Sequence, residues 1–280
     1  MADDADLDDR TFVVTGANTG IGLATAKGLA ARGARVILAC RSASKTLPVI
    51  DELRTATGND RLEHLLLDLA DLDSVRAATA TLLDRGDPID VLIANAGVAG
   101  QRGQTAQGFE LAFGINHLGH FLFVTRLLDL LRAAAPARVV VVSSDSHYAA
   151  KGLDEAQLRR PTRSITGMPE YERSKLANVL FTQELARRLP TDEIAVHALH
   201  PGVIASDIWR RIPWPIRPLV TRRMRSTEDG ARTSLWCATS EELIGASGGY
   251  YADRAPKEPS PVATPELASW LWARSEEWTS

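Results

Sequence analysis

The run Thr15-Gly16-Ala17-Asn18-Thr19-Gly20-Ile21-Gly22 constrains this chain more than any other stretch. It follows a short apolar run, residues 11–14, that reads as a buried strand, and it precedes a helical pattern over residues 21–31. A strand, a glycine turn and a helix in that order form a cradle for phosphate. Gly16 permits the tight turn. Gly20 and Gly22 remove side chains where backbone must approach a pyrophosphate, or where the helix must approach the strand. The N–H groups at the helix start then attract the phosphate charge.

The rest of the chain alternates in the same manner. Residues 11–15, 35–39, 62–67, 91–94, 138–143, 194–199 and 249–251 read as strands. Helical patterns lie near 21–32, 44–57, 72–85, 107–133, 170–189 and 227–238. Several strands are continuous apolar runs, as expected when both faces are covered. The alternation predicts one α/β domain over residues 10–280, a doubly wound parallel sheet of about seven strands with helices on both faces. Right-handed crossovers would bring the strand C-terminal ends, and the motifs they carry, to one edge. Two excursions interrupt the pattern, at 145–168 and 206–226, and a final helix is expected over 265–278. Its packed face would carry Leu267, Trp270, Leu271 and Trp278.

Composition narrows the function classes. The 280 residues are 45% hydrophobic with net charge −3, enough for a large core and no footing for nucleic acid. No segment is long and apolar enough to span a bilayer, and no signal peptide is expected. Residues 1–9, with Asp3, Asp4, Asp6, Asp8 and Asp9, read as an acidic flexible tail. The two cysteines, Cys40 and Cys237, imply no disulfide framework, and a cytoplasmic setting is expected.

Tyr171 and Lys175 stand four apart at the start of a helix and so project from one face. A phenol with its ordinary pKa of about 10 is a poor base at neutral pH. A nearby cation would favour the phenolate and tune the pair for acid–base work. His197 and His200 have the look of metal spacing, but residues three apart on a strand point to opposite faces, so no metal site is expected. His117 and His120 sit on a largely apolar helix and read as structural.

The glycine spacing resembles that of the short-chain dehydrogenase/reductase family, and further landmarks follow in order. They are Asn95-Ala96-Gly97, Asn116 in Ile115-Asn116-His117-Leu118-Gly119-His120, Ser143-Ser144, Tyr171-Glu172-Arg173-Ser174-Lys175 and Pro201-Gly202. The retinol-dehydrogenase-like branch is the most similar, through residues 116–121, 171–189 and 200–202. The resemblance covers residues 11 to about 206 and implies a Rossmann-like oxidoreductase.

That resemblance implies roles. Tyr171 would exchange a proton with the substrate oxygen, Ser144 would hydrogen-bond that oxygen, and Lys175 would hold the nicotinamide ribose. Asn116 would support a proton-relay water; a buried, satisfied amide is the competing reading. Gly16, Asn18, Thr19, Gly20, Ile21 and Gly22 would line the cofactor phosphates. Asp68 and Leu69 would meet adenine, and Asn95, Ala96 and Gly97 would flank the cofactor. Pro201, Gly202, Ile204 and Ser206 would face the nicotinamide. The second strand ends Cys40-Arg41, where an NAD enzyme usually places a carboxylate for the ribose 2′-OH. Arg41 can pair with a 2′-phosphate, so NADP(H) is expected over NAD(H), with a solvated loop arginine as the competing reading.

The expected activity is that of a carbonyl reductase or alcohol dehydrogenase acting on a small-molecule carbonyl or alcohol. The alternatives are a cofactor-binding sensor or scaffold without turnover, and NAD-dependent alcohol oxidation. His147, Trp209 and Trp214 are the substrate-side candidates, and 206–226 is expected to close over an apolar substrate. The family commonly pairs the helices matching 107–133 and 170–189 between subunits, so a homodimer or homotetramer is expected. A C-terminal extension covering them would instead enforce a monomer.

Overall fold

The computed structural model describes residues 6–202 and 226–280. Among the described residues, eight strands form one sheet in the order β3-β2-β1-β4-β5-β6-β7-β8. They are β1 (Thr11–Thr15), β2 (Arg35–Cys40), β3 (Leu62–Leu66), β4 (Val91–Ala94), β5 (Ala137–Val142), β6 (Ile194–His200), β7 (Tyr250–Ala252) and β8 (Ala255–Pro256). Neighbours from β3 to β7 pair in parallel, and only β8 turns back antiparallel on β7. The two-residue β8 is too short to show as a sequence period. The chain starts at β1, winds out to β3, then crosses to β4 on the other side. That reversal opens a crevice at the C-terminal ends of β1 and β4.

Each strand feeds two cores by alternation. Phe12 and Val14 point into one, with Leu29, Ile50, Leu53 and Trp236. Val13 and Leu92 point into the other, with Val75, Phe121, Leu180 and Leu271. The helices divide accordingly. α1 (Gly20–Ala30), α2 (Ala43–Thr57) and α9 (Thr227–Thr239) cover the first face. α3 (Leu72–Arg85), α5 (Gly119–Arg126), α8 (Met168–Arg188) and α10 (Pro265–Thr279) cover the second. Helix ends follow their local signals. Asp71 caps α3 by accepting from the Asp73 N–H at 3.0 Å, and Thr264 caps α10 by accepting from Leu267 at 3.3 Å.

The helix expected over 107–133 is broken. It begins as α4 (Leu111–Phe113), widens into a π turn at Gly114–Leu118, continues as α5 and restarts as α6 (Leu128–Ala133). The excursion at 145–168 contains a single 3-10 turn, Asp145–Ala149, and the short α7 (Glu155–Leu158). Residues 6–9, expected to continue a solvated tail, are docked instead. Leu7 is buried in the first core and its N–H reaches the Arg32 carbonyl at 2.8 Å.

α10 lies across the outer side of α5 and α8. Trp272 stacks on Phe181 and meets Phe121 edge-on at 5.0 Å, while Trp278 packs on Phe109 and Phe113. Trp272 anchors this helix, its ring falling between Phe121 and Phe181, and the expected Leu267, Trp270, Leu271 and Trp278 pack on the same core. At the N-terminal rim of the sheet, arginines and carboxylates pair: Arg10 with Asp90, Arg35 with Glu63 and Asp87, and Arg85 with Glu63. No helix among the described residues is long and apolar enough to cross a membrane.

Candidate active site

The opposite rim gathers the sequence motifs. A Cβ on Gly22 would lie 2.4 Å from the Gly16 carbonyl oxygen and 2.5 Å from Asn95 Nδ2. Gly22 therefore serves the contact of α1 with the strand ends. Gly20, at φ +60°, faces open space with nothing within 4 Å of that position. The space it leaves at the first turn of α1 fits a phosphate carried against bare backbone.

Thr15 ties this loop to its neighbour. Its hydroxyl accepts from the Asn95 and Ala96 N–H groups, each at 2.9 Å, and pairs with His120 Nε2 at 2.8 Å. His120 Nδ1 sits 3.0 Å from the Asn116 carbonyl. A carbonyl only accepts, so Nδ1 carries the proton and Nε2 takes the threonine hydroxyl. Burial lowers the His120 pKa to about 4, which keeps this relay neutral. Asn95 Nδ2 completes the junction on the Thr15 carbonyl at 2.9 Å.

At the end of β2, the buried Cys40 thiol lies against the N–H groups of Gly16, Ala17 and Asn18 and the Thr46 hydroxyl, and burial pushes its pKa up. Arg41 follows, exposed. Asp68 stands past β3 and accepts from the Ala70 N–H at 3.0 Å, while Leu69 is buried against α5.

Tyr171, Ser144 and Lys175 converge where β5 ends against the first turns of α8. The Ser144 hydroxyl lies beside the Tyr171 phenol and donates to the Ser146 hydroxyl at 3.1 Å. Lys175 Nζ donates to the Val142 carbonyl at 2.9 Å, which Asn178 shares at 3.2 Å. Ser143 donates to the Lys175 carbonyl at 2.8 Å, fastening α8 to the strand end. Asn116 joins this cluster from the π turn. Its Oδ1 accepts from the Val98 N–H at 2.8 Å, and its Nδ2 donates to the Val98 carbonyl and the Ser174 hydroxyl. Both amide atoms are thus engaged inside the protein, and they hold the Gly97–Val98 backbone against α8.

The electrostatics differ from the spacing argument in one respect. Lys175 Nζ stands 5.6 Å from the centre of the Tyr171 ring, yet the phenol is held above its ordinary pKa. Burial is the cause, only partly offset by the Ser144 hydroxyl. Lys175, itself brought down to about 7 by burial, is only partly charged at neutral pH and so offers the phenolate a weaker counter-charge than the spacing suggests.

His147 does not face the rim. It is fully buried, packed on Tyr148 and Tyr250, with both ring nitrogens bonded to main chain. Its polar atoms are therefore closed to a substrate. His197 is buried beside Tyr251, whereas His200 lies at the strand end near Asp145. Among the described residues, no three His, Cys, Asp or Glu side chains could share a metal. Pro201 and Gly202 leave β6 at the rim, whereas Ile204, Ser206, Trp209 and Trp214 lie outside the described residues.

Two buried carboxylates escaped the sequence reading. Glu110 accepts from the Phe113 N–H and the Thr162 hydroxyl, and Glu170 accepts from the Ser164 N–H and hydroxyl. Together they staple the 159–167 loop beside the site. An acidic residue just ahead of an apolar run was the available signal for Glu110.

Comparison with known proteins decides the family. The short chain dehydrogenase family model matches residues 10–155. Human "Retinol dehydrogenase 13" is 41% identical over 97% of this chain and 85% of its own length. Human "Retinol dehydrogenase 12" is 42% identical over 95% of this chain and 85% of its own. The chain belongs to the short-chain dehydrogenase family. A crystal structure of an uncharacterised protein from Mycobacterium paratuberculosis superposes with TM-score 0.78 at 33% identity, covering 99% of this dehydrogenase and 96% of that chain. A Shigella flexneri 2a short chain dehydrogenase complexed with NADP shares the fold, with TM-score 0.72 at 22% identity over 91% of this chain and 100% of that one. The family binds a nicotinamide cofactor, and the open cradle at Gly20, with Lys175 close to Gly97 on the same rim, fits one.

Proposed function

We propose that this dehydrogenase is an NADP(H)-dependent carbonyl reductase or alcohol dehydrogenase acting on a bulky apolar ketone, aldehyde or secondary alcohol. The observation that carries the reading is the meeting of Ser144, Tyr171 and Lys175 at the rim where the glycine cradle opens. A bound nicotinamide supplies or accepts the hydride at the substrate carbon. Tyr171, held above its ordinary pKa, keeps its proton at neutral pH and gives it to the carbonyl oxygen as that carbon gains hydrogen. The Ser144 hydroxyl donates to the same oxygen and stabilises the charge that develops there. Lys175, anchored by Val142, directs its remaining donors toward the ribose side and holds Tyr171 in register one helical turn away. In alcohol oxidation the Tyr171 phenolate would take the alcohol proton, a form that burial disfavours.

Arg41 supports the phosphorylated cofactor: it is exposed at the end of β2, where Cys40 offers no carboxylate to a ribose hydroxyl. Asp68 and Leu69 would take the adenine end, and Pro201 and Gly202 the nicotinamide end. The relatives named retinol dehydrogenases support an apolar alcohol or aldehyde as substrate. The covered faces of α5 and α8 support a monomer as the working unit rather than a dimer or tetramer.

The test is a panel of ketones, aldehydes and alcohols of increasing size with each reduced or oxidised cofactor, read by nicotinamide absorbance. Turnover of apolar carbonyls with NADPH at least tenfold better than with NADH is expected (about 1.4 kcal/mol of discrimination). Absence of turnover with every substrate, despite measurable cofactor binding, would favour a sensor or scaffold.

A further inference from the structure

The segment after β8 crosses back over the single turn Asp145–Ala149, which begins immediately after Ser144. Three ties hold it there. Lys257 Nζ donates to Asp145 Oδ2 at 2.8 Å, and Asp145 Oδ1 takes the Tyr250 hydroxyl at 2.9 Å. Tyr148 donates its hydroxyl to the Glu258 carbonyl. The Ser260 N–H donates to His147 Nε2 at 3.0 Å. Ser260 stands between Pro259 and Pro261 and so carries the sole N–H of that three-residue run. That donor is spent on His147.

The other side of the imidazole completes a relay. His147 Nδ1 lies 2.7 Å from the Ser144 carbonyl, which also accepts the His147 N–H at 3.0 Å. Ser260 can only donate, so Nε2 must accept; the Ser144 carbonyl can only accept, so Nδ1 must carry the proton. Both groups are main chain, which leaves one neutral tautomer. The ring is fully buried, and nothing else competes for either nitrogen.

The geometry points to His147 as a positioning residue: through its imidazole, the Pro-Ser-Pro strap at 259–261 sets the backbone of Ser144, and with it the hydroxyl that meets Tyr171. This inference rests on the catalytic reading of Ser144 and Tyr171 proposed above. The strap lies at 259–261, outside residues 10–155 that the family model matches. The prolines limit the conformations of the strap, so little order is lost when it docks.

Three variants and a control test it in the full-length protein. His147→Phe keeps a ring against Tyr148 and Tyr250 but removes both hydrogen bonds. His147→Gln offers one donor and one acceptor again. The positioning role predicts that His147→Phe lowers kcat about tenfold or more, since small misplacements of a reacting group are costly. KM and the Kd for cofactor, read by nicotinamide fluorescence, should stay within about twofold. His147→Gln should recover most of the lost kcat. Wild-type kcat in His147→Phe, or equal losses in Phe and Gln variants, would overturn the inference. If His147→Phe does not fold, the exposed pair Lys257→Met with Tyr148→Phe loosens the strap from outside. A fall in kcat with unchanged cofactor Kd is then expected, and wild-type kcat overturns the role. Tyr171→Phe is the control: if it retains turnover, the reading of the site itself fails, whatever His147 does.

Discussion

A half-buried phenol beside a hydroxyl, held above its ordinary pKa, keeps its proton at neutral pH, and this is the form in which Tyr171 would act. Tyr171→Phe removes only the hydroxyl, so turnover should fall about two to four orders of magnitude while cofactor affinity stays within about twofold. Steady-state kinetics with fluorescence titration of the cofactor check this. At the other end of the cofactor cleft, Arg41→Ala should lower the preference for NADP(H) over NAD(H) about ten- to a hundredfold, the worth of a charge-assisted contact. Equal dissociation constants for the two cofactors in the unmutated protein would remove the basis for that assignment. At this scale, which residues come together was legible and what surrounds them was not. The four-residue spacing of Tyr171 and Lys175 announces a shared helix face. Nothing local announces that β5 and α8 together strip water from Lys175 and bring it to about 7. His147 was misjudged for the same reason: its partner Ser260 is far along the chain, and no period links them.

The broken helix between Leu111 and Ala133 is more consequential than an unbroken one would be. Its π turn swings Asn116 onto Val98 and Ser174, and it leaves the Asn116 carbonyl to His120. A periodic apolar pattern reads the same for both geometries, so the sequence shows the helix and hides the turn. This element also carries two buried imidazoles. Burial lowers His117 to about 3 and His120 to about 4, against 6.5 for a free ring. The unfolded chain therefore binds these protons first. Their contribution to stability is complete above pH 6.5 and is lost as the pH falls through 4 toward 3. The midpoint of thermal unfolding should drop across that window, and His120→Gln should flatten the drop. A flat midpoint in the unmutated protein would show that the rings take up protons as readily in the fold as in the unfolded chain. The strand-to-helix rhythm was the most legible feature, since residues 11–15 and 91–94 are bounded as expected; the two-residue β8 and the stapled 159–167 loop depend on tertiary partners.

For the whole molecule, α10 decides how much apolar surface remains for a second copy. Its Trp272 and Trp278 occupy the faces of α5 and of the helix before it, and Arg188 closes over Trp272 at 4.4 Å. Light scattering at micromolar concentration should give a monomer near 30.4 kDa. Trp272→Ala should destabilise the fold by about 3–5 kcal/mol, as expected for truncating a large core ring, measured by denaturant unfolding. A dimer mass would show that another surface pairs.

The sheet separates its duties between its two rims. Phosphate cradle, serine, tyrosine and lysine sit at one end of the strands, and the pairs made by Arg10, Arg35 and Arg85 sit at the other. Half-buried pairs of this kind near the surface are worth about 1 kcal/mol each. Substitutions there can accumulate or revert in small steps without reaching the reacting atoms. Selection for heat tolerance and selection for a new substrate can therefore draw on separate sets of positions in the same chain, and adaptation along one axis need not forfeit the other.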